Sequence, residues 1–238
     1  MLGSFANLLI YRLPRNEEIV FKRSHCPHCN HALGVLDLIP IVSYLIQLGK
    51  CRYCAKKIPI RYLVCEIAST AIFVVCWKIY GNSWLFYKTS LFLFALLILF
   101  FTDFEHFVLP NVITFPLIGV GLVASVFEDR LIDALWGTAI GFGAYFIIGV
   151  VGKWHYKKEA MGGGDSKLGA GIGAFWGIKI AALTCYLSFM IAGIPALILI
   201  LLKLRKRTDH VPFGPAIITA CVFSLIFGQT IWNYFAGR

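Results

Sequence analysis

The chain is built on apolar runs too long for the helices of an ordinary soluble core. Residues 62–80, 84–101, 112–127, 131–151 and 213–235 each approach the length that carries a helix across a bilayer. A hydrocarbon layer about 30 Å thick needs roughly 20 such residues. Residues 168–202 are too many for one crossing. They predict two helices that turn near Gly177-Ile178-Lys179, the first of them short. Residues 1–13 make half a span, either a short helix or what remains of a longer one. They lack the basic start and small-residue cleavage site of a signal peptide. The count is about eight segments. Composition agrees: 59% of the 238 residues are hydrophobic and 14% charged, with a mean hydropathy of +0.77. A soluble domain of this length needs a more polar shell. The fold class is therefore an all-α polytopic membrane protein.

Charge orients the segments. The net charge of +10 suggests nucleic acid in a soluble chain, but here its distribution follows membrane topology and no nucleic-acid partner is expected. Nine Lys and Arg fall in 12–61, four in 153–167 and four in 203–207, or 17 of 22 on alternate loops. By the positive-inside rule those loops are cytoplasmic. Loops 81–83 and 128–130 then lie outside, as do both termini, while the Asp103–Pro110 connection lies inside by alternation.

The longest polar stretch, about 12–61, carries Cys26-Pro27-His28-Cys29 and Cys51-Arg52-Tyr53-Cys54, two C-x2-C pairs 21 residues apart. Two thiolate pairs at this spacing close a tetrahedral four-cysteine zinc site. Two disulfides are the alternative, and a reducing cytoplasm disfavours them. About fifty residues make a meagre core, which a metal staple offsets. Cys65, Cys76, Cys185 and Cys221 lie in apolar segments, where a free cysteine acts as a small hydrophobe. Gly137-x3-Gly141 and the series Gly169, Gly171, Gly173 predict close helix approach.

Two carboxylates stand where a membrane chain least tolerates them. Asp103 ends an apolar run, and Asp165 follows Met161-Gly162-Gly163-Gly164. An ionisable group at a membrane segment marks a functional site. The ordinary readings are a helix cap for each Asp, and a loop or an anion-binding nest for the glycines. Both aspartates fall on one membrane face, beside a glycine segment that lets an extended substrate approach and permits positive φ. Two neighbouring carboxylates cannot both ionise easily, so one activates water while the other protonates the substrate. Gly162, Gly164 and Lys167 support that segment. Glu105, His106, Glu128, Asp129 and Asp133 read as solvated interfacial residues. Pro110 opens the next helix.

In this order the motifs resemble the type IV prepilin peptidase family, GxGD aspartyl proteases. The resemblance runs from Gly3-Ser4-Phe5, Asn7 and Tyr11-Arg12-Leu13-Pro14 through Arg23-Ser24, the four cysteines, Asp37-Leu38-Ile39-Pro40, and Arg61-Tyr62 with Glu66. It continues through Thr102-Asp103, Leu109-Pro110-Asn111, the segment from Glu159-Ala160 to Leu168, and Pro212-Phe213-Gly214-Pro215. Asn111 stands where the family commonly has aspartate.

The resemblance implies a first membrane helix (1–13), which is short or truncated here against the family's pattern, a cytoplasmic four-cysteine zinc-binding domain (14–61) and a transmembrane peptidase core (62–238). It implies a peptidase of the bacterial inner membrane, with Asp103 and Asp165 catalytic. Such an enzyme removes the positively charged leader of prepilins and pseudopilins after glycine, on the cytoplasmic side. It then N-methylates the new terminus with S-adenosylmethionine, an activity tied in the family to the cysteine domain. No glycine-rich dinucleotide fingerprint follows a strand, so no Rossmann methyltransferase domain is expected. Asn7 and Glu66, polar groups at the cytoplasmic ends of membrane segments, are the candidates for that cofactor. Two rival readings are a zinc-loop assembly or sensor protein without catalysis, and a presenilin-like protease cutting within the bilayer. A proton-coupled transporter is disfavoured because nothing suggests inverted repeats.

Overall fold

The computed structural model describes residues 2–19, 24–34, 36–156, 161–201 and 212–235. Arg23, Glu159-Ala160 and the basic stretch 203–207, singled out above, lie outside the described residues, as do Lys157 and Lys158. Among the described residues the protein is helical with no strand, only two isolated bridges at His25–Ala32 and Lys50–Lys57. Eight helices are α1 (Leu2–Arg12), α2 (Val42–Ile46), α3 (Arg61–Tyr80), α4 (Trp84–His106), α5 (Asn111–Phe127), α6 (Leu131–Tyr156), α7 (Gly163–Leu201) and α8 (Gly214–Phe235).

Helices α3, α4, α6, α7 and α8 are long and apolar enough to cross a membrane, and α5 is a shorter apolar helix. Their outer faces carry large apolar side chains in the open, among them Val74, Val75, Trp77, Phe115, Ile132, Trp136 and Phe146. Only 22% of the most apolar stretch of α3, and the same share of α6, is buried within the protein. Apolar surface on that scale is stable against lipid rather than water. The chain is a multi-pass membrane protein.

The 39 residues of α7 make about 58 Å of helix at 1.5 Å per residue, nearly twice the hydrocarbon thickness. It is broken where the sequence places a turn: Gly177 has φ 77 and ψ −172, a backbone open only to glycine at ordinary cost. The parts, 163–176 and 178–201, are a short helix and a longer one. Counting them separately gives eight α-helical segments among the described residues, besides the single-turn α2.

The chain divides into two compact units, Met1–Thr102 and Asp103–Arg238. In the first, α1 lies against α3 so closely that a Cβ on Gly3 would stand 2.7 Å from the Glu66 Cα and 2.5 Å from the Ser69 Oγ. Phe73 of α3 meets Phe94 of α4 with ring centroids 6.0 Å apart. In the second unit, α6 and α7 cross backbone to backbone. Gly137 faces Gly173 and Gly177, and Gly141 faces Gly169, so that any Cβ on this seam would strike the opposite main chain. The small-residue pattern is thus a packing seam, as expected. Tyr145, 1% exposed, shares a 3.0 Å hydrogen bond with Ser188 in the middle of this unit.

The acidic cluster after α5 differs from its sequence reading. Glu128 and Asp133 are not merely solvated. The Arg130 guanidinium donates to Glu128 Oε2 at 2.6 Å, to Asp133 Oδ2 at 3.3 Å and to the Phe175 carbonyl at 3.3 Å. Asp133 Oδ1 accepts the Ile178 N–H at 3.1 Å. The break in α7 leaves an unpaired donor and acceptor on its two sides, and this charged pair satisfies both.

Candidate active site and metal centre

Asp103 lies in the last turn of α4, which runs on to His106 and closes when the Phe107 N–H, at φ 55, donates to the Asp103 carbonyl at 2.9 Å. That is a left-handed helix cap. The side chain, 6% exposed, accepts the Gly214 N–H on Oδ2 at 2.9 Å. Gly214 opens α8, so its N–H has no partner inside its own helix. Pro215, next in line, has no N–H at all. A Cβ on Gly214 would come within 2.6 Å of the same Asp103 Oδ2. The carboxylate therefore rests on the positive end of α8, and only glycine lets it approach so near.

Asp165 is the third residue of α7 and equally buried, 6% exposed. Its N–H donates to the Gly162 carbonyl at 3.1 Å, and its Oδ2 accepts the Gly162 N–H at 3.2 Å. This reciprocal pair is a capping-box arrangement with Asp in place of Glu. The glycine triplet departs from expectation here. Gly163 and Gly164 are already helical, and none of the three has a positive φ. The helix forms because the carboxylate caps it. Gly164 is required instead for space, since a Cβ there would meet Leu109 Cβ at 2.9 Å. Leu109 and Pro110 precede α5, so this contact brings the loop after Asp103 against the start of α7. The two carboxyl groups interact electrostatically.

Lys167 contacts α5: its Nζ donates to Asn111 Oδ1 at 2.7 Å and lies 4.9 Å from the centre of the Phe115 ring. It ties the start of α7 to the start of α5. Gly214 is the participant that the sequence did not single out for a role, because a Gly-Pro pair at a helix start carries no signal of what its N–H will meet.

The four cysteines of the first unit converge. Their sulfurs all lie within 4.8 Å of one another, and Cys26 Sγ is 3.9 Å from Cys54 Sγ. A tetrahedron with Zn–S bonds of about 2.3 Å has edges of about 3.8 Å. Each pair sits on the same knuckle: Asn30 N–H donates to the Cys26 carbonyl at 2.9 Å and Ala55 N–H to the Cys51 carbonyl at 2.8 Å. Asn30 and Ala55 both turn with positive φ, 54 and 57. The Tyr53 backbone N–H lowers the Cys51 thiol to about 7 against the effect of burial. Cys54 goes the other way, to about 11: the Lys56 N–H lowers it, but burial and the neighbouring thiols raise it more. Four thiols in one place resist ionising together, and a bound cation removes that conflict. The donor set fits zinc.

Also in the first unit, Asn7 Nδ2 donates to the Tyr62 carbonyl at 3.0 Å, and Glu66 Oε2 accepts the Ile41 N–H at 2.7 Å. Both side chains are buried and both line one cleft.

Residues 1–80 match the bacterial peptidase A24 N-terminal domain, and residues 90–201 match the type IV leader peptidase family. A prepilin leader peptidase/N-methyltransferase of Pseudomonas aeruginosa is 32% identical, the alignment covering 97% of this chain and 88% of that protein. The chain belongs to the type IV leader peptidase family. Relatives of the same name in Neisseria gonorrhoeae and Bacillus subtilis are 31% and 29% identical, with 98% and 99% of this chain covered and 89% and 94% of theirs. No solved structure matches the chain. The family's two matched regions hold the four cysteines with Asn7 and Glu66 in one, and Asp103 with Asp165 in the other.

Proposed function

We propose that this leader peptidase family member removes the positively charged leader of type IV prepilins and pseudopilins as a GxGD-type aspartyl peptidase. Cleavage follows a glycine on the cytoplasmic side of the inner membrane, and the enzyme then N-methylates the exposed residue with S-adenosylmethionine. The observation that carries the peptidase reading is the pair of buried, electrostatically coupled carboxylates, Asp103 and Asp165, each seated on backbone N–H groups at a helix start. The cytoplasmic orientation rests on the basic loops, and a substrate with a basic leader is presented from that same side.

In each carboxylate Oδ2 is engaged by main chain, which fixes the plane of the group and directs its second oxygen. Two such groups share one proton. The unprotonated partner takes a proton from water, whose oxygen bonds to the carbonyl carbon of the scissile peptide. The protonated partner gives its proton to the carbonyl oxygen. When the C–N bond breaks, the electron pair leaves with nitrogen, which is protonated by the aspartate that had received the water proton, while the former carbonyl oxygen returns its proton to the other aspartate. No covalent enzyme intermediate forms. Gly214 and Gly164 keep both carboxylates in place by what they lack, a side chain.

Cys26, Cys29, Cys51 and Cys54 would hold zinc, whose role would be to close the 14–61 segment rather than to take part in hydrolysis. S-adenosylmethionine would supply the methyl group, and Asn7 and Glu66 are the residues that would hold it.

The test mixes the purified full chain with a prepilin, with and without S-adenosylmethionine, and reads the mass and amino terminus of the product. The reading requires a product shortened to the residue after glycine, and one methyl group heavier only when the donor is present. An intact prepilin in both arms overturns it.

A further inference from the structure

The stretch 36–48 of the first unit presents apolar side chains at its surface. Leu36, Ile39, Val42, Leu45, Ile46 and Leu48 are between 40% and 85% exposed. Val42, Leu45 and Ile46 share one face of α2, at the spacing i, i+3, i+4. The opposite face is polar and engaged. The Tyr44 hydroxyl donates to the Ile58 carbonyl at 3.3 Å, and Gln47 Nε2 to Asp37 Oδ1 at 2.9 Å. The segment is thus fastened on one side to the four-cysteine loop and exposes an apolar ridge on the other. We infer that this ridge is an interfacial anchor, embedded in the lipid leaflet at the Arg61 end of α3, with neighbouring cations on lipid phosphates.

Depth decides between lipid and water. The 20 residues of α3 make about 30 Å of helix at 1.5 Å per residue, and the hydrocarbon layer takes up all of that length. Ile41, immediately before α2, donates its N–H to Glu66 Oε2 at 2.7 Å. Glu66 is the sixth residue of α3, about 7.5 Å along from Arg61. A segment bonded at that level lies at the edge of the acyl layer. Ile60, Val64 and Ile67 are exposed at the same end of α3, so apolar surface runs from the membrane helix to the depth of the ridge.

Charge selects the headgroup. Lys50 and Arg52 border the same shallow groove as Leu36, Ile39, Val42 and Ile46. Lys57 faces Lys50 across an antiparallel bridge. All three cations are exposed, and Asp37 is the one acidic residue in 36–61. An apolar ridge rimmed by cations matches a bilayer that contains anionic lipid. An apolar protein segment would cover the ridge but leave the cations without a counter-charge. The anchor holds the four-cysteine loop, to which its polar face is bonded, against the membrane surface.

The test places the purified full chain in nanodiscs whose lipids carry a photoactivatable diazirine high on one acyl chain, and maps the labelled peptides. Peptides of α3 and α6 are the internal reference. Segment 36–48 is expected to be labelled too, and more strongly with phosphatidylglycerol than with phosphatidylcholine. Leu45→Asp combined with Ile46→Asp should lower its labelling at least about tenfold relative to α3, because charge is expelled from the acyl region. Unchanged labelling of α3 and α6 shows that the double variant is folded. Lys50→Gln combined with Arg52→Gln should remove the preference for the anionic lipid. Membrane helices labelled while 36–48 stays blank overturn the anchor. A segment that lipid leaves blank and a diazirine-bearing prepilin labels is a protein-docking face, which overturns it as well. Labelling indifferent to lipid charge overturns the headgroup contact.

Discussion

At the scale of single residues, the site depends on where side chains stop. Gly214 places its N–H 2.9 Å from Asp103 Oδ2, and an added Cβ would press within 2.6 Å of that oxygen. Gly214→Ala is therefore expected to slow leader cleavage about 100-fold, the cost of misplacing a catalytic group by roughly an ångström. The fall should appear in kcat with little change in KM, measured on a purified prepilin. Glu105→Gln, at an exposed position two residues from Asp103 and beside His106, is expected to cleave at a near-normal rate. Both aspartates stood out in the sequence because an ionisable group in an apolar segment contradicts its surroundings. Gly214 was not, since its role depends on a carboxylate 111 positions away. The glycine triplet misled for a related reason. Three glycines signal an open strand locally, whereas the carboxylate of Asp165 folds back to cap them into the first turn of α7.

At the scale of elements, α7 shows what a length argument can and cannot reach. That 168–202 must be two helices followed from the bilayer thickness, and Gly177 marks the break. What holds the break could not be read from α7 itself. It comes from Asp133 on α6, which caps the Ile178 N–H, and from Arg130, which reaches the Phe175 carbonyl. Gly177→Ala is expected to destabilise the protein by at least about 1–3 kcal/mol, the cost of a positive φ without glycine. The added methyl would also collide with Asp133. Thermal unfolding in detergent should show it as a lower midpoint. Asp133→Ala should lower the midpoint too, by the smaller amount of about 1 kcal/mol that a lost cap costs. The seam of Gly137, Gly141, Gly169 and Gly173 was readable because small residues at helical spacing mean close backbones in any membrane bundle.

At the scale of the whole molecule, composition and loop charge led directly to a multi-pass helical protein, and the paired C-x2-C knuckles to a four-cysteine cluster whose donor set fits zinc. The division at Thr102 puts the four-cysteine loop in one unit and both carboxylates in the other, in keeping with their separation along the sequence. The two proposed activities are therefore expected to come apart. Cys29→Ser, which breaks the four-sulfur cluster, should lose bound zinc and lower methyl transfer more than leader removal, while the packing of α6 on α7 persists. Equal loss of both activities at unchanged membrane expression would mean the loop serves the peptidase directly. The central claim, that Asp103 and Asp165 together perform the hydrolysis, is tested most directly by the cleavage rate of Asp103→Asn and Asp165→Asn, each purified and mixed with prepilin. Each is expected to cut at least about 1000-fold more slowly than the unaltered protein, the loss that follows removal of a general acid or base, with bound zinc retained. Near-normal cleavage by either variant would contradict the account.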